Sequence, residues 1–255
     1  MGKDMKNVAI VLAGGSGSRM KCNIRKQYLL LGDYPVLWYS LHAFQNYPLI
    51  DEIVLVCGAG EVEQCRDQFV EQYGFSKIKT VTEGGRERYH SVYEGLKAIE
   101  NCDYVLIHDG ARPFIDEEIL NRVFDALLEL PACAVGMPVK DTIKMSDSGG
   151  FVERTLPREK LWMIQTPQSF SYAVIRQAYD ELFRRGTPEV SVTDDAMVAE
   201  YVLNCPVKLV EGSYGNIKIT TPEDLYLAES LLASYKSKNL RAYMDHTGKN
   251  GMRTV

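Results

Sequence analysis

This chain has no C-x-x-C pair, no excess of positive charge, no apolar run of membrane length and no recognisable nucleophile triad. Each absence removes a class of function. The six cysteines stand at 22, 57, 65, 102, 133 and 205, several in apolar runs such as Val54-Leu55-Val56-Cys57 and Ala132-Cys133-Ala134-Val135. They read as buried, reduced thiols of a cytoplasmic protein, neither a zinc site nor a disulfide framework. With 29 Lys+Arg against 34 Asp+Glu, the net charge of −5 makes a poor nucleic-acid binder, which usually shows a basic patch or stripe. No run approaches the roughly 18 apolar residues of a membrane span, so no membrane partner is expected. The first seven residues lack the apolar core of a signal peptide. Histidines 42, 90, 108 and 246 lack metal-ligand spacing, and no Ser-His-Asp or Cys-His set stands out.

What is present is concentrated near the start. Ala9-Ile10-Val11-Leu12-Ala13 reads as a buried strand, and Gly14, Gly15 and Gly17 follow it, with the cations Arg19 and Lys26 close behind. Glycines let backbone N–H groups come up against a bulky anion, because no Cβ is in the way. A polyphosphate site follows from that pattern. The dinucleotide fingerprint fails, because Met20 stands at its third glycine, and no Gly-Lys-Ser/Thr closes a Walker loop. A plain Gly-rich strand-to-helix turn, with Arg19 and Lys26 on a solvated face, also accounts for this stretch alone.

Along the chain, strand and helix signals alternate, which predicts an α/β fold with a mostly parallel twisted sheet between two helical layers. Strands are expected at 8–13, 53–57, 78–82, 104–108, 133–139, 207–210 and 216–220. Helices are expected from Pro35, over 61–73, 91–99, 116–130 and 172–184, after Thr193 or Asp194 as N-cap, and from Thr221-Pro222 to about Tyr235. Alternating residues on either side of Ser146-Asp147-Ser148-Gly149-Gly150 predict a hairpin arm, about 139–158, that projects from the domain. Its apolar Ile143, Met145 and Phe151 want a surface to cover: a second subunit, or the chain's own sheet. Residues 1–235 read as one domain. The tail 236–255 has five Lys/Arg against one acid and little periodicity, and is expected to be disordered.

In an open parallel sheet, ligands sit beyond the carboxyl ends of the strands. The loops Gly14–Arg19, Gly84–Arg88 and Asp109–Arg112 each follow a strand and are expected to converge on one cleft. They bring a glycine cradle, the cations Arg19, Lys26, Arg88 and Arg112, and the carboxylate of Asp109. That mixture suits a metal–nucleotide complex and a second anionic substrate.

Nine motifs in order give a resemblance. They are Gly15-x-Gly17-x-Arg19-Met20, Lys26-Gln27-Tyr28, Gly84-Gly85-x-x-Arg88-x-x-Ser91-Val92, His108-Asp109-Gly110-Ala111-Arg112-Pro113, Pro138-Val139-x-Asp141-Thr142-x-Lys144, Leu161-Trp162, Gln165-Thr166-Pro167-Gln168, Thr193-Asp194-Asp195 and Asn216-Ile217-Lys218-x-Thr220. Over residues 7 to 235 the chain closely resembles the 2-C-methyl-D-erythritol 4-phosphate cytidylyltransferases, which have a Rossmann-like nucleotidyltransferase fold. The resemblance implies transfer of a cytidylyl group from CTP to the polyol phosphate with release of pyrophosphate and with Mg2+. It implies Arg19, Lys26 and Lys218 as catalytic groups on the phosphates. It implies Ala13, Gly14, Gly15, Gly17, Gly84, Gly85 and Ser91 around CTP. Asp109, Arg112, Thr142, Arg158 and Thr193 are implied for the polyol phosphate, Asp109 also as a metal ligand beside CTP phosphates that hold most of the Mg2+. An arm exchanged between subunits implies a homodimer.

Three positions depart from the family pattern: Arg25 stands where Pro is usual, Arg86 where Asp is common, and Gly110 where Ala is commoner. Arg25 is expected to make the approach of Lys26 less rigid. The sister cytidylyltransferase for ribitol 5-phosphate shares several motifs. Another sugar-phosphate nucleotidyltransferase and a non-catalytic nucleotide-binding regulator complete the alternatives.

Overall fold

The computed structural model describes residues 5–15, 25–186 and 191–247. Residues 16–24, Gly17 and Arg19 among them, lie outside the described residues. A seven-stranded sheet carries the fold. Its strands are β1 (Asn7–Leu12), β4 (Glu52–Cys57), β5 (Ile78–Glu83), β6 (Tyr104–Asp109), β7 (Ala132–Pro138), β10 (Trp162–Ser171) and β11 (Lys208–Glu211). The spatial order is β11-β7-β10-β6-β1-β4-β5. Only β10 runs antiparallel to its neighbours, so the sheet is mostly parallel as expected. The short strands β2 (Leu30–Leu31) and β3 (Tyr34–Pro35) pair separately ahead of helix α1 (Val36–Asn46).

The central strands form because Val8 to Val11, Ile53 to Cys57 and Val105 to Ile107 are buried on both faces. A continuous apolar run, rather than an alternating one, is what a parallel strand between two helical layers requires. One layer packs Leu37, Leu41 and Phe44 of α1 and Ile119, Val123 and Leu127 of α4 (Glu117–Glu129) on the sheet. The opposite layer packs Val92 and Leu96 of α3 (Arg88–Lys97), Ile175 and Tyr179 of α5 (Tyr172–Arg185) and Val198 of α6 (Asp195–Leu203).

Chain order within the sheet decides where a ligand can sit. From β1 the chain moves outward through β4 to β5, then returns to place β6 on the other side of β1. The crevice beyond β1 and β6 is therefore the topological switch point. Leu12 is level with Asp109 on one side and Val56 on the other, so the strand ends share one rim.

Several expectations need correction. The stretch 162–171, left without an element, is the long strand β10. Pro167 lies where the pairing with β7 slips between Ile164 and Gln168, so the missing N–H falls at an irregularity. Residues 216–220 are no strand: buried Asn216 donates through Nδ2 to Thr166 O (3.0 Å) and Gln165 Oε1 (3.3 Å), and the segment follows those bonds. The expected helix over 61–73 is α2 (Val62–Cys65) continued by a wider π-type helix over Arg66–Gln72. The last helix, expected to end near Tyr235, is α7 (Pro222–Thr247), so helical backbone enters the segment expected to be disordered. The hairpin is present as β8 (Lys144–Ser146) and β9 (Val152–Thr155), a two-stranded sheet apart from the main one.

Gly95 sets how closely α3 lies on the sheet. A Cβ there would stand 2.9 Å from Ile10 Cγ2 and 3.0 Å from Val56 Cγ2, both on stiff β-branched side chains. Gly95→Val should lift α3 and cost on the order of 1–3 kcal/mol, read as a lower urea midpoint at unchanged slope. An unchanged midpoint would show that α3 has room to move.

Candidate active site

The carboxyl ends of β1, β5 and β6 open into a cleft of about 310 Å³. Leu12, Gly14 and Gly15, then Lys26 and Gln27, line one side. Gly85, Arg86, Glu87, Arg88 and Ser91 line another, and Asp109, Ala111 and Lys218 close it. The described residues of the three loops named from sequence, Gly14 and Gly15 for the first, therefore converge. Four cations against two carboxylates make this rim locally positive on an acidic chain.

The first loop is held from behind. Buried Gln27 donates through Nε2 to Ala13 O, and more distantly to Gly15 O (3.4 Å). Arg25 donates from Nη1 to Gly14 O (3.2 Å) and pairs through Nε with Glu61 (2.8 Å). Glu61 also accepts from the Tyr28 hydroxyl (2.9 Å) and the Gly58 N–H (3.1 Å). Arg25 keeps an extended φ of −63°, and its side chain makes contacts to Gly14 O and Glu61 that a proline there could not make.

The second loop needs both its glycines. A Cβ on Gly84 would stand 2.6 Å from Ser91 Oγ and 3.2 Å from Cys57 O, and one on Gly85 would stand 2.3 Å from His90 Cβ. Their absence lets the loop fold onto the first turn of α3, where Ser91 Oγ accepts from the Gly85 N–H (3.1 Å).

Asp109 is the electrostatic centre. Its Oδ1 accepts from Arg88 Nε (3.1 Å) and its Oδ2 from Lys218 Nζ (2.7 Å), with Arg112 Nε at 3.9 Å. Burial alone would raise this carboxyl. Arg88, Lys218 and Arg112 outweigh burial and hold it well below the usual carboxylate range. Arg112 in turn donates to Asn216 O (2.8 Å), and the Ile219 N–H donates to Ala111 O (2.9 Å). Buried Asn216 and Ile219 thus present Lys218 to the cleft.

Arg88 reaches further. Its Nη1 and Nη2 bind Oδ1 and Oδ2 of fully buried Asp195 at 2.9 and 2.8 Å. The Tyr179 hydroxyl donates to the same carboxylate (2.6 Å). Gln168 Oε1 accepts the N–H groups of Asp195 and Ala196 at 2.8 Å each, and Asp194 caps α6 by accepting from Met197 N. Asp195 and Gln168 carry site architecture that sequence reading missed. Their only signal was their place in the Thr-Asp-Asp and Gln-Thr-Pro-Gln motifs.

The structure does not bring every expected residue to this cleft. Thr142 and Arg158 are exposed at the base of the arm, with Arg158 Nη1 donating to Lys140 O (2.8 Å). Thr193 lies just before the cap of α6, its hydroxyl 3.5 Å from Met197 Sδ. Ala13 and Gly84 directly follow the last residues of β1 and β5 and are the chain neighbours of lining residues Gly14 and Gly85. Among the described residues, no group of three or more His, Cys, Asp or Glu comes together to hold a metal ion.

A match to known proteins joins this geometry. Residues 7–234 match the family model of 2-C-methyl-D-erythritol 4-phosphate cytidylyltransferase. The chain belongs to that family. Relatives named 2-C-methyl-D-erythritol 4-phosphate cytidylyltransferase from Lachnoclostridium phytofermentans and Clostridium kluyveri are 47% and 46% identical. They cover 91% and 90% of this chain and 98% of their own lengths. A solved 4-diphosphocytidyl-2C-methyl-D-erythritol synthase from Anaerococcus prevotii superposes with a TM-score of 0.79 at 35% identity, over 90% of this chain and 96% of that one. The cytidylyltransferase of Thermus thermophilus gives 0.71 at 31% identity, over 88% and 98%. Like those relatives, this family member is a nucleotidyltransferase with an α/β fold.

His108 belongs to the scaffold of this family member's cleft. The Asp109 N–H donates to Thr166 Oγ1 (3.1 Å), which lies 3.1 Å from His108 Nδ1, while Nε2 faces Arg112 O at 3.1 Å. A proton on Nε2 satisfies all three contacts, with Thr166 donating to Nδ1. Burial pulls the imidazole down to about 4 from 6.5. The unfolded chain therefore takes up this proton first, so His108 costs nothing above 6.5 and stability is lost as pH falls toward 4. Between pH 7 and 5 the loss should be about 2 kcal/mol. Urea titrations of His108→Gln should show a flatter fall over that range; an equally steep one would assign the acid sensitivity to another group.

Proposed function

We propose that this chain transfers a cytidylyl group from CTP to 2-C-methyl-D-erythritol 4-phosphate, giving 4-diphosphocytidyl-2-C-methyl-D-erythritol and pyrophosphate. One observation carries the reading: a glycine-walled, cationic cleft at the switch point of a chain in this family, with Lys26 and Lys218 on its lining. A phosphate oxygen of the acceptor attacks the α-phosphorus of CTP. The new P–O bond forms as the α–β anhydride breaks, and the electron pair leaves on pyrophosphate. The acceptor is its own nucleophile, so the protein has to position two anions and stabilise charge on the α-phosphoryl oxygens.

Lys26 and Lys218 stabilise those oxygens together with Arg19. Gly14, Gly15 and Gly17, with Ala13 behind them, and Gly84, Gly85 and Ser91 surround the nucleotide. Asp109 and Arg112 face the acceptor. A Mg2+ ion would supply further charge neutralisation, held by the CTP phosphates with one oxygen of Asp109. The residues fit that use, since Asp109 is the one aspartate on the cleft lining, and magnesium commonly takes one or two carboxylates plus substrate phosphates.

The arm supports a homodimer. Phe151, in the turn before β9, is 76% exposed and Val152, the first residue of β9, is 60% exposed, and the other described residues leave both uncovered. A partner covering them would bring Thr142 and Arg158 toward a site that this chain's own fold does not give them, with Thr193 as the neighbouring acceptor contact. The four buried free thiols Cys57, Cys65, Cys102 and Cys133 fit a reducing cytoplasmic setting. Among the described residues no helix is long and apolar enough to cross a membrane. Ribitol 5-phosphate is the less favoured acceptor, since the matching family model and the relatives carry methylerythritol phosphate in their names.

Pyrophosphate release with CTP and Mg2+ should follow addition of methylerythritol 4-phosphate and not of ribitol 5-phosphate; the reverse would move the acceptor and keep the chemistry. Lys26→Ala should lower turnover on the order of 10²–10³-fold, the scale of one lost oxyanion donor. Retention of most of the turnover would remove Lys26 from that role. Light scattering should give a dimer mass, and Phe151→Asp should shift it toward a monomer.

A further inference from the structure

Arg88 lines the cleft, yet all three of its nitrogens are engaged with carboxylates. Nη1 and Nη2 form a fork on Asp195, and Nε meets Asp109. The three bonds take three of the five guanidinium N–H donors and fix its plane, so the remaining two cannot be rotated toward a passing phosphate. Its anchor is rigid in turn. Asp195 is fully buried, its carboxylate takes the Tyr179 hydroxyl, and its N–H is held by Gln168. The Asp109 carboxylate is thus oriented from the α5–α6 side of the protein rather than from its own strand.

Two consequences follow for chemistry. Lys218 shares Asp109 with Arg88, each on its own oxygen. If Arg88 let go, Asp109 would be free to turn wholly onto Lys218 and hold that ammonium away from the substrate. Arg88 is also the first residue of α3, three residues after Gly85, whereas Asp195 starts α6 two residues after Thr193. The fork therefore ties the nucleotide loop to the segment that carries an expected acceptor contact.

We propose that Arg88, anchored by Asp195, is a positioning residue that aims the Asp109 carboxylate for the hydroxyl groups of the acceptor and keeps Lys218 available, and that it is no phosphate ligand itself. This deepens the cytidylyltransferase reading and rests on it.

The test uses the full chain and four variants. Arg88→Lys keeps the charge but loses the fork, Asp195→Asn keeps the shape but loses the anchor charge, and the double variant removes both. Tyr179→Phe, the mildest, removes one bond to Asp195 and keeps the ion pair. Steady-state pyrophosphate release gives kcat and the acceptor KM, while calorimetry with CTP and Mg2+ gives nucleotide affinity apart from turnover. Each of the first two should lower kcat/KM for the acceptor by about 10–100-fold, a larger factor than any accompanying change in CTP affinity. The double variant should be no worse than the poorer single one, because the residues act as a unit. Tyr179→Phe should move the same parameter by a smaller factor.

A loss that falls on CTP affinity would make Arg88 a phosphate ligand and overturn the proposal, as would single effects that multiply in the double variant. If Arg88→Lys and Asp195→Asn do not fold, Tyr179→Phe decides by the same split between acceptor and nucleotide. A wild-type chain that binds CTP and releases no pyrophosphate with either polyol phosphate would defeat the cytidylyltransferase reading, and the positioning role falls with it.

Discussion

Asp109 ends β6 with a side chain only one-tenth exposed, and a carboxylate so placed must be matched by cations or give up its charge. The match comes from three elements. Arg88 arrives at the start of α3, Lys218 on an irregular segment 109 residues further along, and Arg112 on the loop after β6. None of these contacts is local in sequence except the last. Removing one member of such a cluster leaves buried charge unbalanced, which typically costs about 3–5 kcal/mol. The fold around the cleft is thereby constrained to bring α3, the end of β6 and the 216–219 segment to one point. The bond from Ile219 N–H to Ala111 O and the bonds of buried Asn216 are the means by which this chain does so.

The same constraint explains how an acidic protein presents a positive cleft. The chain as a whole carries a net charge of −5, while the rim at the switch point collects Lys26, Arg86, Arg88 and Lys218. Those cations are not equivalent. Arg88 is neutralised by Asp195 and Asp109, so its charge shapes the site more than it attracts a ligand. Lys218 is paired on one side only and stands half-exposed at the mouth, where an incoming phosphate can compete for it. The glycine walls add uncharged N–H groups, which attract anions without a counterion of their own.

Much of this was legible in the sequence, for physical reasons that can be named. Val8 to Val11, Ile53 to Cys57 and Val105 to Ile107 are buried on both faces, and that burial demands the continuous apolar runs from which the strands were read. The loops Gly14-Gly15, Gly84-Gly85 and Asp109 to Arg112 were legible because they join small residues to charge at strand ends. β10 was not, because Gln165, Thr166, Pro167, Gln168 and Ser169 look unlike a central strand. All five lie at or near the bulge, and Gln165, Thr166 and Gln168 use their side chains to hold Asn216, Asp109 and α6. Asp195 was legible only as part of a motif, since its partner Arg88 lies 107 residues away. Residues 216–220 alternate like a strand, yet Asn216 is buried, and its hydrogen bonds override that pattern.

A cleft of this kind suits chemistry in which the substrate brings the nucleophile. His108, the residue before Asp109, is buried and kept neutral, its ring nitrogens engaged by Thr166 and Arg112 O, so it has no lone pair free for an incoming group. Asp109 is held ionised far below neutral pH by its cations, and a carboxylate so stabilised is a weak base. With neither strong base nor nucleophile among the described residues of the rim, rate can come only from where the phosphates are placed and how charge on them is met. That demand falls on backbone geometry and on ion pairs that fix direction, and those are the two features in which this structure invests its glycines and its buried charges.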